Sequence, residues 1–202
     1  RAKVLSLPGS LDRVELSDAW VTDNAAQAAA FLNGTVFGIN GNVWKTNDQG
    51  QYLLDNNGRP QIASSMQLVG DRNPDWIAGI TNTFKYKDFG LSFMWDFRQG
   101  GDVFNATAYT LVNSGLSQLT QNRGNIVIPG IIESTGQINN LEIPMNQDYY
   151  QTLYAKNSKN FVEDGSWARL RYVSLNYKAP SSLVKKNPLS TNLFPYSSLR
   201  RI

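Results

Sequence analysis

The 202-residue chain contains no cysteine and no histidine. The first absence excludes disulfides, thiolate nucleophiles and cysteine-based metal sites. The second removes the commonest general base and the commonest metal ligand. Acid–base chemistry is left to carboxylates alone. No catalytic residue, metal ligand set or cofactor is therefore expected. Charge is also scarce: Asp, Glu, Lys and Arg make up 17% of the chain, against about 25% in an ordinary soluble protein. The net charge of +3 comes with no Lys/Arg cluster interleaved with aromatics, which leaves nucleic-acid binding unsupported. No apolar run is long enough for a membrane-spanning helix. No signal peptide opens the chain, which starts in mid-pattern at "RAKVLSLPGS"; a fragment or a processed product is expected.

What fills the gap is aromatic residues with Asn, Gln, Ser and Thr. "FGLSFMWDFRQGG" alternates from Phe89: Phe89, Leu91, Phe93, Trp95 and Phe97 on one parity, Gly90, Ser92, Met94, Asp96 and Arg98 on the other. That period of two predicts a strand with one apolar and one mostly polar face. "WIAGITNTFKYK" precedes it, with Trp76, Ala78, Ile80, Phe84 and Tyr86 in phase, and a tight turn at Lys87-Asp88 joins the two as a hairpin. Each strand has about the ten residues that a tilted strand needs to cross a bilayer. A third strand follows in "SWARLRYVSLNYKAP", where Val173, Leu175 and Tyr177 alternate with Ser174 and Asn176. Arg169 and Arg171 fall on its apolar parity, so that end is expected to leave the hydrophobic zone.

Elsewhere the signals are local. "AKVLSL" reads as the tail of a strand. "TDNAAQAAAFLNG" reads as a short helix, with Thr22, Asp23 or Asn24 at its start and Gly34 at its end. Turns at Asn47–Gly50 and Asp55–Gly58 bracket a hairpin strand, "QYLL". The rest up to Asp75 reads as an elaborate loop, and Gly100 to Gly165 as a long irregular one. Around Pro180 to Pro188 a polar turn is expected, then the start of a further strand in "STNLFPYSSLRRI".

Short and long connections alternate, as they do in outer-membrane barrels, whose periplasmic turns are short and extracellular loops long. Trp76, Tyr86 and Tyr177 stand where aromatic girdles belong. The fold class expected is all-β: antiparallel strands forming part of a large transmembrane β-barrel with long extracellular loops. Phe89, Leu91, Phe93 and Trp95 would then face outer-membrane lipid. The alternative is a soluble β-rich sandwich, a glycan-binding module, whose inner face carries the same residues.

"GDRNPDWIAGITNTFKYKDFGLSFMWDFRQGGDVFN" resembles a signature block of the SusC/RagA-like TonB-dependent outer-membrane transporters, and "FVEDGSWARLRYVSLNYKAP" resembles the strand that follows it in that family. "AKVLSL" and "GQYLLDNNGRP" are similar to earlier family text. The resemblance implies a plugged barrel of about 22 strands. It also implies TonB-powered uptake of oligosaccharides or peptides, and a SusD-like surface lipoprotein as a lid. It makes residues 1–202 the C-terminal part of such a barrel, with the plug and the TonB-contacting part absent from this stretch. Since the text departs from the family at "NLFPYSSLRRI", a truncation or frameshift is expected.

Several side chains invite functional readings. Trp44, Tyr109, Tyr149 and Tyr150 lie off the clear strands and are candidates to stack on substrate. Ile126, Ile128, Ile131 and Ile132, in "NIVIPGII", are expected to be buried, either against the lid that the resemblance implies or against the loop before Asp75. Asp55, Asn57 and Gly58 read as a plain turn, since the later bidentate Glu of a calcium loop is missing. Glu163 and Asp164 read as rim carboxylates beside Arg169 and Arg171. Asp96 and Arg98 are expected in a structural network on the polar face.

Overall fold

The computed structural model of the protein describes residues 3–9, 11–21 and 26–180. In chain order the strands are β1 (Arg13–Glu15), β2 (Ala26–Phe31), β3 (Gly38–Gly41), β4 (Leu53–Leu54), β5 (Gln67–Asp71), β6 (Trp76–Tyr86), β7 (Phe89–Gln99) and β8 (Asp102–Phe104). Helix α1 (Ala106–Asn113) follows. Then come β9 (Asn125–Val127), β10 (Ile131–Ile132), β11 (Glu142–Pro144), β12 (Val162–Asp164) and β13 (Trp167–Tyr177). The protein is all-β, with antiparallel sheets, a parallel strand pair, β10 on β4, and a parallel bridge between Val4 and Leu32. Those residues form no closed barrel. The expected polar turn and strand beyond Pro180, and the cap at Thr22 to Asn24, lie outside them.

The chain divides into two compact units, Arg1–Ile77 with Arg98–Trp167, and Ala78–Phe97 with Ala168–Ile202. The second is built on the long strands β6, β7 and β13, each 11 residues, in the order β13-β7-β6. The two-residue turn sits on Lys87, whose φ is 52°. The hydroxyls of Thr83 and Ser92 meet at 3.1 Å across the hairpin, which sets residue 83 opposite residue 92. This register puts even positions of β6 on the face of odd positions of β7. Phe84 and Phe93 accordingly meet, ring centres 6.0 Å apart. The two apolar stripes read from the sequence therefore form one stripe on one face.

β13 runs antiparallel along the other side of β7, since Phe89 stacks on Tyr177 at one end and Asp96 meets Arg171 at the other. Near the turn, Gly90 faces Asn176, even beside even. At the far end, even-numbered Asp96 meets odd-numbered Arg169 and Arg171. The two arginines thus reach the polar face, where their parity alone had placed them with the apolar residues.

The first unit overturns the helix expected at "AAQAAAF". Ala26–Phe31 form β2, paired with β1 on one side and β3 on the other in the sheet β1-β2-β3-β5. Alanine favours helix, but propensity is a weak prior against tertiary contact. Here the strand is central and Ala26 to Ala30 are all buried. Small side chains fit where both faces are covered. The elaborate loop before Asp75 likewise holds two strands of this sheet, β3 and β5. The hairpin read around "QYLL" is present as β4, with bridges Thr46–Tyr52 and Leu54–Pro60.

Gly100 to Gly165 is a packed assembly of short elements instead of an open loop. Asn105 caps α1 by accepting from the Ala108 amide, which satisfies one of the free donors of its first turn. Gly115, with φ at 75°, ends it. Phe104, Tyr109, Tyr149, Tyr150, Leu153 and Phe161 join one buried cluster with Ile39 and Leu54.

Candidate functional site

The sequence blocks "GDRNPD", "RQGGD" and "VEDGS" meet in the first unit. β12 pairs with β8, setting Asp164 opposite Asp102. The Asp102 carboxylate accepts from the Asp71 amide at 2.7 Å. Ser166 Oγ accepts from the Gly100 amide at 2.8 Å and donates to Asp164 Oδ1 at 2.6 Å. Two hydrogen bonds from Ser166 hold the Asp164 carboxyl below its usual range. Gly100 and Gly101 both take positive φ, 72° and 85°. A Cβ on Gly100 would strike the Asp75 carboxylate, and one on Gly101 the Arg98 guanidinium. Only glycine suits both the backbone and the space.

Beside this junction lies a cleft of about 670 Å³. Trp20, Phe37, Arg72, Arg98, Val103 and Phe104 are among its walls. The Arg72 guanidinium lies over the Trp20 ring, 5.3 Å from its centre. Arg98 donates to the carbonyl of Arg72 at 3.0 Å. Phe37 and Val103 are exposed, while Phe104 is buried beneath Trp20 and Tyr109. The cleft combines cationic donors with apolar surface, the combination that binds small polar ligands with an apolar side.

The sequence candidates fare unevenly. Trp44 is half-buried, donates its indole N–H to the Leu153 carbonyl at 3.0 Å and meets Tyr52 edge-on. Tyr109, Tyr149 and Tyr150 are buried, against the expectation that they stack on substrate. Tyr109 packs on Phe104 and Phe161, and the Tyr150 hydroxyl donates to the carbonyls of Leu119 and Asn122. Burial also pushes the Tyr149 hydroxyl up from its ordinary pKa. Ile128 is buried, Ile126 pairs with Ile143, and Ile131 and Ile132 pair with Leu53 and Leu54 of β4. Ile131 and Ile132 thus meet the stretch before Asp75, and Ile126 meets a strand of its own region.

Phe89, Leu91, Phe93 and Trp95 share one side of β7; Phe89 and Leu91 are exposed, Phe93 and Trp95 half-exposed. Asp96 enters a network with Arg169 and Arg171. Glu163 and Asp164 instead engage Asn105 and Ser166. Asp55 accepts from the amides of Asn57 and Arg59, and Gly58 has φ at 76°, so this is a turn. No cluster of Asp or Glu suited to a metal is found among the described residues. Sequence reading missed the cleft altogether. Arg72 and Arg98 lay in view inside the quoted blocks, but nothing local tied them to Trp20 or Phe37.

No protein-family model matches the chain. Among curated proteins it is similar to TonB-dependent receptor P3 of Formosa agariphila, with 28% identity over 147 residues. The match takes in 70% of this chain and 13% of that protein's length. This likeness supports the TonB-dependent receptor family for the chain.

Proposed function

We propose that the chain forms part of the wall and outer loops of an outer-membrane, TonB-dependent importer of oligosaccharides or peptides. It is a transporter component and not an enzyme. The observation that carries this is the apolar face of the long strands. Ile80, Phe84, Tyr86, Phe89 and Leu91 on the hairpin, with Val173, Leu175 and Tyr177 on β13, are large, apolar and exposed. Contiguous exposed apolar surface marks contact with membrane or protein. Strands of 11 residues match the bilayer, and the likeness to a TonB-dependent receptor supports the membrane.

In this reading the SusC-like resemblance supplies the finer terms. A SusD-like lipoprotein covers the outer mouth, and TonB acts through a plug that this stretch does not contain. With Ile131 and Ile132 paired to β4, a lid would meet the exposed Val127 and Ile138 of the same loop.

Fractionation tests the proposal. The protein should partition with the outer membrane, need detergent to stay monodisperse, and migrate faster on gels before heating than after. A monodisperse, detergent-free protein that binds glycan would establish the soluble binding module instead. Hydrolysis of any glycan, lost on changing Glu163 or Asp164, would overturn the assignment as a non-enzyme.

A further inference from the structure

We propose that the cleft bounded by Trp20, Phe37, Arg72 and Arg98 binds an acidic saccharide residue, a pyranose carrying a carboxylate or a sulfate. The inference rests on the importer reading for the destination of the ligand, not for the site itself.

The two guanidiniums are the basis. Neither Arg72 nor Arg98 has an ion pair with a carboxylate among the described residues. The Arg72 guanidinium carbon lies 5.3 Å from the centre of the Trp20 ring, a cation–π contact that holds the charge at the cleft. Arginine presents its N–H donors as a planar fork that matches carboxylates and related oxyanions. Arg98 is anchored through Nη2 to the Arg72 carbonyl at 3.0 Å and through Nε to the Gly100 carbonyl at 3.4 Å. Its position is therefore set before any ligand arrives, which reduces the ordering cost of binding.

Apolar surface supplies the second half. The exposed ring of Phe37 and the exposed side chains of Ile77 and Val103 line the same cleft. A pyranose has an apolar C–H face that packs on an aromatic ring while its substituents hydrogen-bond at the edge. The backbone couples the two halves, since the Arg72 amide donates to the Phe37 carbonyl at 3.1 Å. The cleft volume of about 670 Å³ falls in the range of small-ligand sites, roughly 300–1,000 Å³.

Calorimetry on the protein extracted from outer membranes in detergent tests the inference, with trigalacturonate, a sulfated trisaccharide, maltotriose and triglutamate as probes. At least one acidic sugar should bind, about tenfold or more tighter than maltotriose, and added salt should weaken it. Arg72→Gln should lower that affinity about tenfold or more, the effect of losing a charge-assisted hydrogen bond, and weaken maltotriose less. Phe37→Ala should weaken binding of the acidic sugar; it serves independently if Arg72→Gln fails to fold. Binding of the carboxylated probe alone or the sulfated probe alone identifies which acid is read. Equal binding of maltotriose, or no effect of Arg72→Gln and Arg98→Gln in folded protein, would overturn the inference. Tighter binding of triglutamate than of either acidic sugar would replace it with an acidic-peptide site. Uptake of a neutral oligosaccharide without binding of either acidic sugar defeats this inference alone; absence from the outer membrane defeats the importer reading alone.

Discussion

Asp96 of β7 holds Arg171 of β13, Oδ2 to Nε 2.8 Å, with Arg169 3.7 Å from the same oxygen. One carboxylate, only 13% exposed, therefore sits between two half-exposed guanidiniums. Removing it leaves like charges side by side. Asp96→Ala is expected to destabilise the protein by about 1 kcal/mol, since exposed partners keep such pairs weak. Urea unfolding in detergent measures this. Adding Arg171→Ala should recover part of the loss, and the double-mutant cycle isolates the coupling.

The apolar stripe makes a sharper prediction. Phe93 lies mid-strand beside Phe84, on the face proposed to meet lipid. Phe93→Arg should cost roughly 2–4 kcal/mol if that position is near the bilayer midplane. Ser92→Arg, one residue away on the opposite face, should cost much less. Equal costs at both positions in a membrane-folding titration would rule out a lipid-facing side.

Topology can be read from whole cells, and a chain without cysteine makes single-cysteine labelling clean. Asn56 and Ser134 touch through their side chains, so these two stretches lie on one side. Cysteines at Asn57 and Ser134 should react with an impermeant reagent from outside, and one at Asp88 should not. Labelling at Asp88 alone would invert the proposed orientation.

The glycine pair at the end of β7 is expected to tolerate no side chain. Gly100→Ala should cost about 1–3 kcal/mol, the usual range for a strained backbone conformation, with the clash against Asp75 added. Gly136, also at positive φ but with open space around it, should lose less on the same change. Limited proteolysis of the two variants compares them directly.

Acid should loosen the packed loops before the strands. Hydrogen bonds, chiefly from Lys45 and then from Gln61, hold the Glu133 carboxyl below its ordinary pKa. The Arg59 guanidinium does the same for Asp148. Both folded values are depressed, so the stability they contribute is present above the ordinary carboxylate range, about pH 4, and is lost as pH falls through the lowered values. Hydrogen exchange around residues 131–138 should accelerate over that window. Glu133→Gln should flatten its pH dependence.

The amino-acid sequence by itself determined the long strands, the hairpin turn and the turns at Gly50 and Gly58. Each rests on neighbours in the chain: alternation over 11 residues at Phe89–Gln99, or a glycine able to take positive φ. The tertiary structure alone decided the rest. The alanine-rich stretch 26–30 became a strand because partners on both sides outweighed helix propensity. Tyr109, Tyr149 and Tyr150 went inward because α1 and the π-helical turn Tyr149–Tyr154 pack on one cluster. Arg169 and Arg171 met Asp96 across the pairing of β7 with β13, against what their parity alone suggested. Trp20 came under Arg72 although 51 intervening residues separate them. Periodicity reports which way a side chain points from its own strand; which other segment it meets depends on long-range pairing, which local sequence does not encode.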